Sequence, residues 1–149
     1  MKLYKTQTAF TLIEVLVVLA IVALVLSVIP PMFENVIDNS RIKTASRQLA
    51  AGLKATRIKA INSREDEKLI LDTDNFIYSV GEVSKSLDLP DSAAILLTTA
   101  QSEQIDEHTG GIRFFADGSS TGGQIKISMN DLEYSVDVNW LTGKVSITP

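Results

Sequence analysis

Phe10-Thr11-Leu12-Ile13-Glu14-Val15-Leu16-Val17-Val18-Leu19-Ala20-Ile21-Val22-Ala23-Leu24-Val25-Leu26-Ser27-Val28-Ile29 is aliphatic nearly throughout, and its one charge, Glu14, stands close to its start. Twenty residues at roughly 1.5 Å each rise about 30 Å as a helix, the thickness of a bilayer's hydrocarbon layer. The stretch 10–29 therefore reads as a transmembrane helix. A carboxylate inside such a helix costs on the order of 2.5 to 3.5 kcal/mol, so Glu14 needs a partner or a task. Lys2 and Lys5 precede the run, and positive charge is retained inside. That puts the N-terminus in the cytoplasm and exports everything after residue 29.

A secretory signal peptide would be cut after the apolar run, behind small residues two positions apart, and Val25 with Ser27 just satisfies that rule. The flanks favour a cut before the run instead. Met1 to Ala9 is short, polar and basic, and it ends in a small residue against the aromatic Phe10. The string Ala9-Phe10-Thr11-Leu12-Ile13-Glu14-Val15-Leu16 closely resembles the type IV prepilin motif, in which a dedicated peptidase cuts on the cytoplasmic side and leaves the apolar helix on the mature protein. The resemblance implies a leader over 1–9, cleavage between Ala9 and Phe10, and N-methylation of the new Phe10 amine. Ala9 stands where that family usually carries glycine, and alanine is the next smallest fit. After cleavage Glu14 lies one helical turn from the Phe10 ammonium. In a low-dielectric setting the two charges offset each other's desolvation, and between adjacent subunits of a filament such a pair fixes helix register.

Pro30 and Pro31 follow the span, where a missing backbone donor and a ring clash predict a kink. The helix is expected to resume as an amphipathic segment over 30–66. There Ile42, Ala45, Leu49, Leu53, Thr56 and Ala60 recur at spacings of three and four, one stripe facing a core. From Arg41 to Lys68, the basic residues Arg41, Lys43, Arg47, Lys54, Arg57, Lys59, Arg64 and Lys68 outweigh Glu65, Asp66 and Glu67, eight charges against three, a net of +5. From Leu69 to Pro149 four basic residues face twelve acidic ones, a net of −8. The basic helix face reads as solvated or as meeting acidic neighbours in a filament. Nucleic acid is not an expected partner, because the rest of the chain is acidic and the helix from Glu34 on carries no aromatic stacking residues.

Past Lys68 the periodicity changes to short apolar or alternating runs at 69–71, 76–80, 94–98, 112–115, 125–129, 134–140 and 145–147, which predict strands. Asp117-Gly118 running to Gly122-Gly123, and Thr142-Gly143, supply turn chemistry suited to hairpins. The expected fold class is α+β: a long N-terminal helix packed on an antiparallel β-sheet or two-sheet sandwich, with a β-rich domain over 67–149.

The segment from Ile112 through Arg113, Phe114, Phe115, Ala116, Asp117 and Gly118 to Gly122 and Gly123 is similar to the signature strand-turn-strand of the GspH/FimT group of minor pseudopilins and pilins. Val138-Asn139-Trp140-Leu141-Thr142-Gly143-Lys144-Val145 resembles that group's closing hairpin. Membership implies a single-pass protein of the bacterial inner membrane with a periplasmic domain. It also implies other minor and major pseudopilins, the prepilin peptidase and an inner-membrane assembly platform as partners. The implied role is a subunit at the tip of a type II secretion pseudopilus. The alternative is a FimT-like type IV pilus minor pilin in pilus biogenesis or DNA uptake.

The remaining conspicuous residues have plain readings. Gly118 to Gly123 lacks the lysine and following helix of a phosphate loop and reads as a hairpin loop. Trp140, beside a tight turn, is expected to pack over the hairpin or close the core rather than to anchor a partner. Asp72, Asp74 and Asn75 miss the spacing of a calcium loop and read as a strand-end turn. With one histidine, His108, in an exposed loop and no cysteine, no catalytic constellation, metal site or cofactor is expected.

Overall fold

A computed structural model describes residues 10–149, and of residues 28–37 the backbone alone. Contacts divide the chain into a unit ending at Ile37 and a unit from Asp38 to Pro149. Helix α1 is Leu12–Ser63. In the first unit every side chain from Leu12 to Ser27 is exposed, so this helix is apolar all round with no core of its own to face. Among the described residues no helix is long and apolar enough to cross a membrane, and the expected span over 10–29 falls only partly within the residues whose side chains are described. The backbone is helical through Pro30 and Pro31. Their side chains, and the kink expected there, lie outside the described residues.

In the second unit the helix is one-sided. Ile42, Ala45, Leu49, Leu53, Thr56 and Ala60 are all buried, together with Ser46 and Ala50. Complete burial of Ile42, Leu49 and Leu53 contributes roughly 1.5 to 3 kcal/mol each relative to exposure. Ser46 and Thr56 return their hydroxyls to the carbonyls of Ile42 and Gly52, four residues back, so neither leaves an unmet polar group in the core. The helix ends at Ser63, and Arg64 turns the chain in the left-handed region at φ 59°.

Eight strands follow: β1 Glu67–Asp72, β2 Ile77–Val80, β3 Val83–Ser86, β4 Ala94–Thr99, β5 Thr109–Phe114, β6 Gly123–Met129, β7 Leu132–Val138 and β8 Val145–Thr148. They form two four-stranded sheets with the orders β3-β2-β1-β5 and β4-β6-β7-β8, every pairing antiparallel. In the first sheet Leu69 lies opposite Ile112. In the second Ile125 lies opposite Val136. All four are buried in one cluster with the helix stripe, so α1 and both sheets share a single core.

Three expectations needed correction. β3, with the sequence Val-Ser-Lys-Ser, was not expected: all its residues are exposed, so its sequence carries no alternation, and only the turn at Gly81 and pairing with β2 define it. The segment from Asp117 to Gly123 is not a hairpin loop, because β5 and β6 belong to different sheets. It is a sheet-to-sheet crossing, steadied by one bridge between Phe114 and Ser120. The run 134–140 begins two residues earlier, after the turn at Asn130 and Asp131, and ends at Val138, leaving Trp140 in a turn.

Candidate functional site

At the start of α1, Thr11 acts as the cap. Its carbonyl accepts the Glu14 amide at 3.1 Å and the Val15 amide at 3.3 Å, and its hydroxyl oxygen lies 3.4 Å from the Glu14 nitrogen. Phe10, 81 % exposed, and Glu14 both face outward from the first turn. Glu14 is thus favoured by the helix dipole, an effect of only about 0.3 to 1 kcal/mol that leaves its carboxylate open to an external cation. Ala9, the other side of the expected cut, lies outside the described residues.

A second constellation forms where the helix meets the crossing and the last hairpin. The guanidinium Nε of Arg57 donates to the carbonyl of Gly118 at 2.9 Å. Gly143, at φ 61°, packs so closely that an added Cβ would overlap that same carbonyl oxygen and come within 2.6 Å of Arg57 Nε. Gly122 packs on Trp140, where an added Cβ would lie 3.0 Å from the tryptophan Cβ. The Ser120 amide donates to the Trp140 carbonyl at 2.9 Å, and the Ser120 hydroxyl donates to the Arg113 carbonyl at 2.7 Å. Gly123 opens β6 against the Thr98 carbonyl, and Phe114 fills the core beneath. The signature residues from two distant stretches therefore converge on one clasp, closed by Arg57 of the helix. Sequence reading had counted Arg57 only as one more surface charge. Its position at the border of the buried stripe was the available signal.

Trp140 does not close the core. Its side chain is 65 % exposed, and Leu141 beside it is exposed as well. The loop beneath them is rigidly built: the Asn139 carboxamide oxygen accepts the amides of Leu141 and Thr142, each at 3.0 Å, and the Asn139 carbonyl accepts the Gly143 amide at 2.8 Å. Glu103, only 3 % exposed, holds Arg113 at 2.8 Å and Lys68 at 3.4 Å.

The Asp72 turn has the expected form, with one carboxylate oxygen accepting the Asp74 and Asn75 amides at 3.0 and 2.9 Å and the other accepting the Asn75 side chain at 2.8 Å. His108 is exposed and sits 3.2 Å from Asp74. Among the described residues no group of three or more histidine, cysteine or acidic side chains is arranged to hold a metal. Donors hold three loop carboxyls below the usual carboxylate range: the Asn75 side chain for Asp72, the His108 amide for Asp106 and the Ser119 hydroxyl for Asp117. Because these folded-state values are depressed, the stability they contribute is present above the unfolded carboxyl pKa, about 3.9, and is lost as pH falls through the lower folded values. Thermal melts should therefore begin to drop as pH falls below about 4. A triple variant Asp72→Asn, Asp106→Asn, Asp117→Asn should flatten that drop, and an unchanged slope would show that other groups govern it.

Residues 45–143 match the family described as Type II transport protein GspH, and residues 4–30 match the Prokaryotic N-terminal methylation motif. The chain belongs to the GspH family. A GspH relative, Type II secretion system protein H of Xanthomonas campestris pv. campestris, is 33 % identical over 93 % of this chain and 82 % of its own length. The GspH-type fold recurs in two solved structures. One is the minor pseudopilin EpsH from the type 2 secretion system of Vibrio cholerae, with TM-score 0.56, 12 % identity, and coverage of 72 % of this chain and 96 % of that one. The other is the type IV minor pilin FimU of Pseudomonas aeruginosa, with TM-score 0.59, 14 % identity, and coverage of 74 % and 90 %. The GspH match takes in Arg57, the first signature stretch and the second as far as Gly143, so the clasp falls wholly within the family's region.

Proposed function

We propose that this chain is a minor pseudopilin of a type II secretion system, joining other pseudopilins at the tip of a periplasmic filament that drives folded proteins across the outer membrane. The observation carrying this reading is the joint presence, on one chain, of the methylation motif and a GspH domain, with a protein H relative aligned over nearly the whole length. The prepilin peptidase cuts between Ala9 and Phe10 and methylates Phe10. The helix over 10–29 anchors the subunit in the inner membrane with its N-terminus cytoplasmic and its domain periplasmic, and the assembly platform feeds it into the filament. The chain is a substrate of that peptidase and a structural subunit, not an enzyme.

The pairing of the domain's own charges weighs against the DNA-uptake alternative. Arg113 is engaged by Glu103 and Asp66, Lys68 by Glu103, and Lys126 by Glu133 at 2.9 Å, so these cations are already neutralised by carboxylates.

The test is recovery of partners from the membrane. A tagged full-length chain should bring down other pseudopilins, and deleting its gene should stop secretion of folded periplasmic proteins. Glu14→Ala should leave cleavage and membrane insertion intact while lowering partner recovery about tenfold, the effect of losing roughly 1.4 kcal/mol of pairing. Intact secretion in the deletion strain, with loss of pili or of DNA uptake, would transfer the chain to the pilus branch.

A further inference from the structure

β4 is an end strand of the second sheet, paired with β6 along one side only. Among the described residues its backbone makes no hydrogen bond beyond that ladder. Beside it lies a groove of about 340 Å³, lined by residues 95–99 on one wall and by Thr73, Gln104 and Asp106 through Gly110 on the other. Ala94, Leu96 and Thr98 point to solvent, and Leu96 is 61 % exposed. Ile95 and Leu97 pack on the core yet remain only half-buried, a row that one more strand would cover. At its far end the Thr99 hydroxyl donates to the Gly111 carbonyl of β5, while over the rest of its length the edge, uncharged and free of proline, is not protected against pairing. The facing wall is acidic: Asp106 and Glu107 border the groove, Asp74 adjoins it, and the one basic group there, His108, is set against Asp74.

We propose that the β4 edge receives an extended segment from a neighbouring subunit. That segment adds as a strand, alternates apolar or β-branched side chains, and turns a lysine or arginine toward Asp106 and Glu107. Unpaired backbone groups select an extended backbone, the half-covered Ile95 and Leu97 select apolar side chains, and the acidic wall selects the cation. The source of the strand rests on the secretion-subunit reading. The edge's chemistry does not, so the experiment is done on the purified chain, and its failure leaves that reading standing.

The full chain in detergent micelles is titrated with a labelled six-residue peptide alternating valine and threonine around one lysine. Two controls are the same peptide with glutamate for lysine and the lysine peptide methylated on its backbone nitrogens. The lysine peptide should bind and slow amide exchange at residues 94–98. The glutamate peptide should bind about tenfold more weakly, and the methylated one not at all. Glu107→Lys should reverse the ranking of the lysine and glutamate peptides, which a misfolded variant would not do. Absence of binding, or equal binding of the methylated peptide, overturns the proposal. Protection of residues 94–98 that grows with protein concentration in the absence of peptide overturns it in favour of a second copy of this chain.

Discussion

Gly143→Ala is expected to destabilise the domain by about 2 to 4 kcal/mol, a large share of what a domain of this size possesses. Two costs combine. At φ 61° an alanine is strained by its own Cβ, on the order of 1 kcal/mol or more. That Cβ would also overlap the Gly118 carbonyl and push against Arg57 Nε, so the Arg57 to Gly118 hydrogen bond is lost and a carbonyl inside the clasp goes unpaired. Gly81 provides an internal control. It has the same φ, 61°, but an added Cβ there would meet only the far end of the Lys59 side chain, at 3.3 Å. Gly81→Ala should therefore show the backbone strain alone. Denaturant unfolding of the two variants separates the contributions, and Gly143→Ala no worse than Gly81→Ala would mean that the clasp carries no energy.

Ala9→Leu should abolish maturation outright. On the proposed cut between Ala9 and Phe10, the side chain before the cut stands at the peptidase's reacting bond, where a branched four-carbon side chain should not replace alanine. Intact mass reads the result: the parent begins at Phe10, and the variant keeps residues 1–9. On the proposed pairing the unprocessed chain offers Glu14 no Phe10 ammonium, so its recovery of partner pseudopilins should fall about tenfold, as for Glu14→Ala. A parent chain that begins at Val28 instead would restore the signal-peptide reading.

The helix stripe was legible because burial of Ile42, Leu49 and Leu53 imposes a period that survives in the sequence. Seven strands were legible for the same reason, since each buries at least part of one face. β3 left no trace because it buries neither face. Two sheets could not be told from one, because strand-level patterns state which face is covered but not which strand is the neighbour, and the turn-rich segment before Gly123 reads the same whether it returns the chain or carries it across. Of the site, the glycines were visible and their common partner was not. The tie between Arg57 and Gly118 spans 61 positions and involves a main-chain oxygen, which no residue type advertises. Of the two readings of Trp140, closing the core fails for a related reason: Asn139 builds the turn unaided and leaves the ring exposed.

The clasp also sets a schedule for the domain's birth. Its helix component, Arg57, is synthesised well before its last component, Gly143, so α1 cannot be locked against the final hairpin until the chain has been made through Gly143. Closure over such sequence distances is slow compared with local structure. On the proposed periplasmic location, the domain should be exported with its helix still unlatched, and the clasp should close only after export.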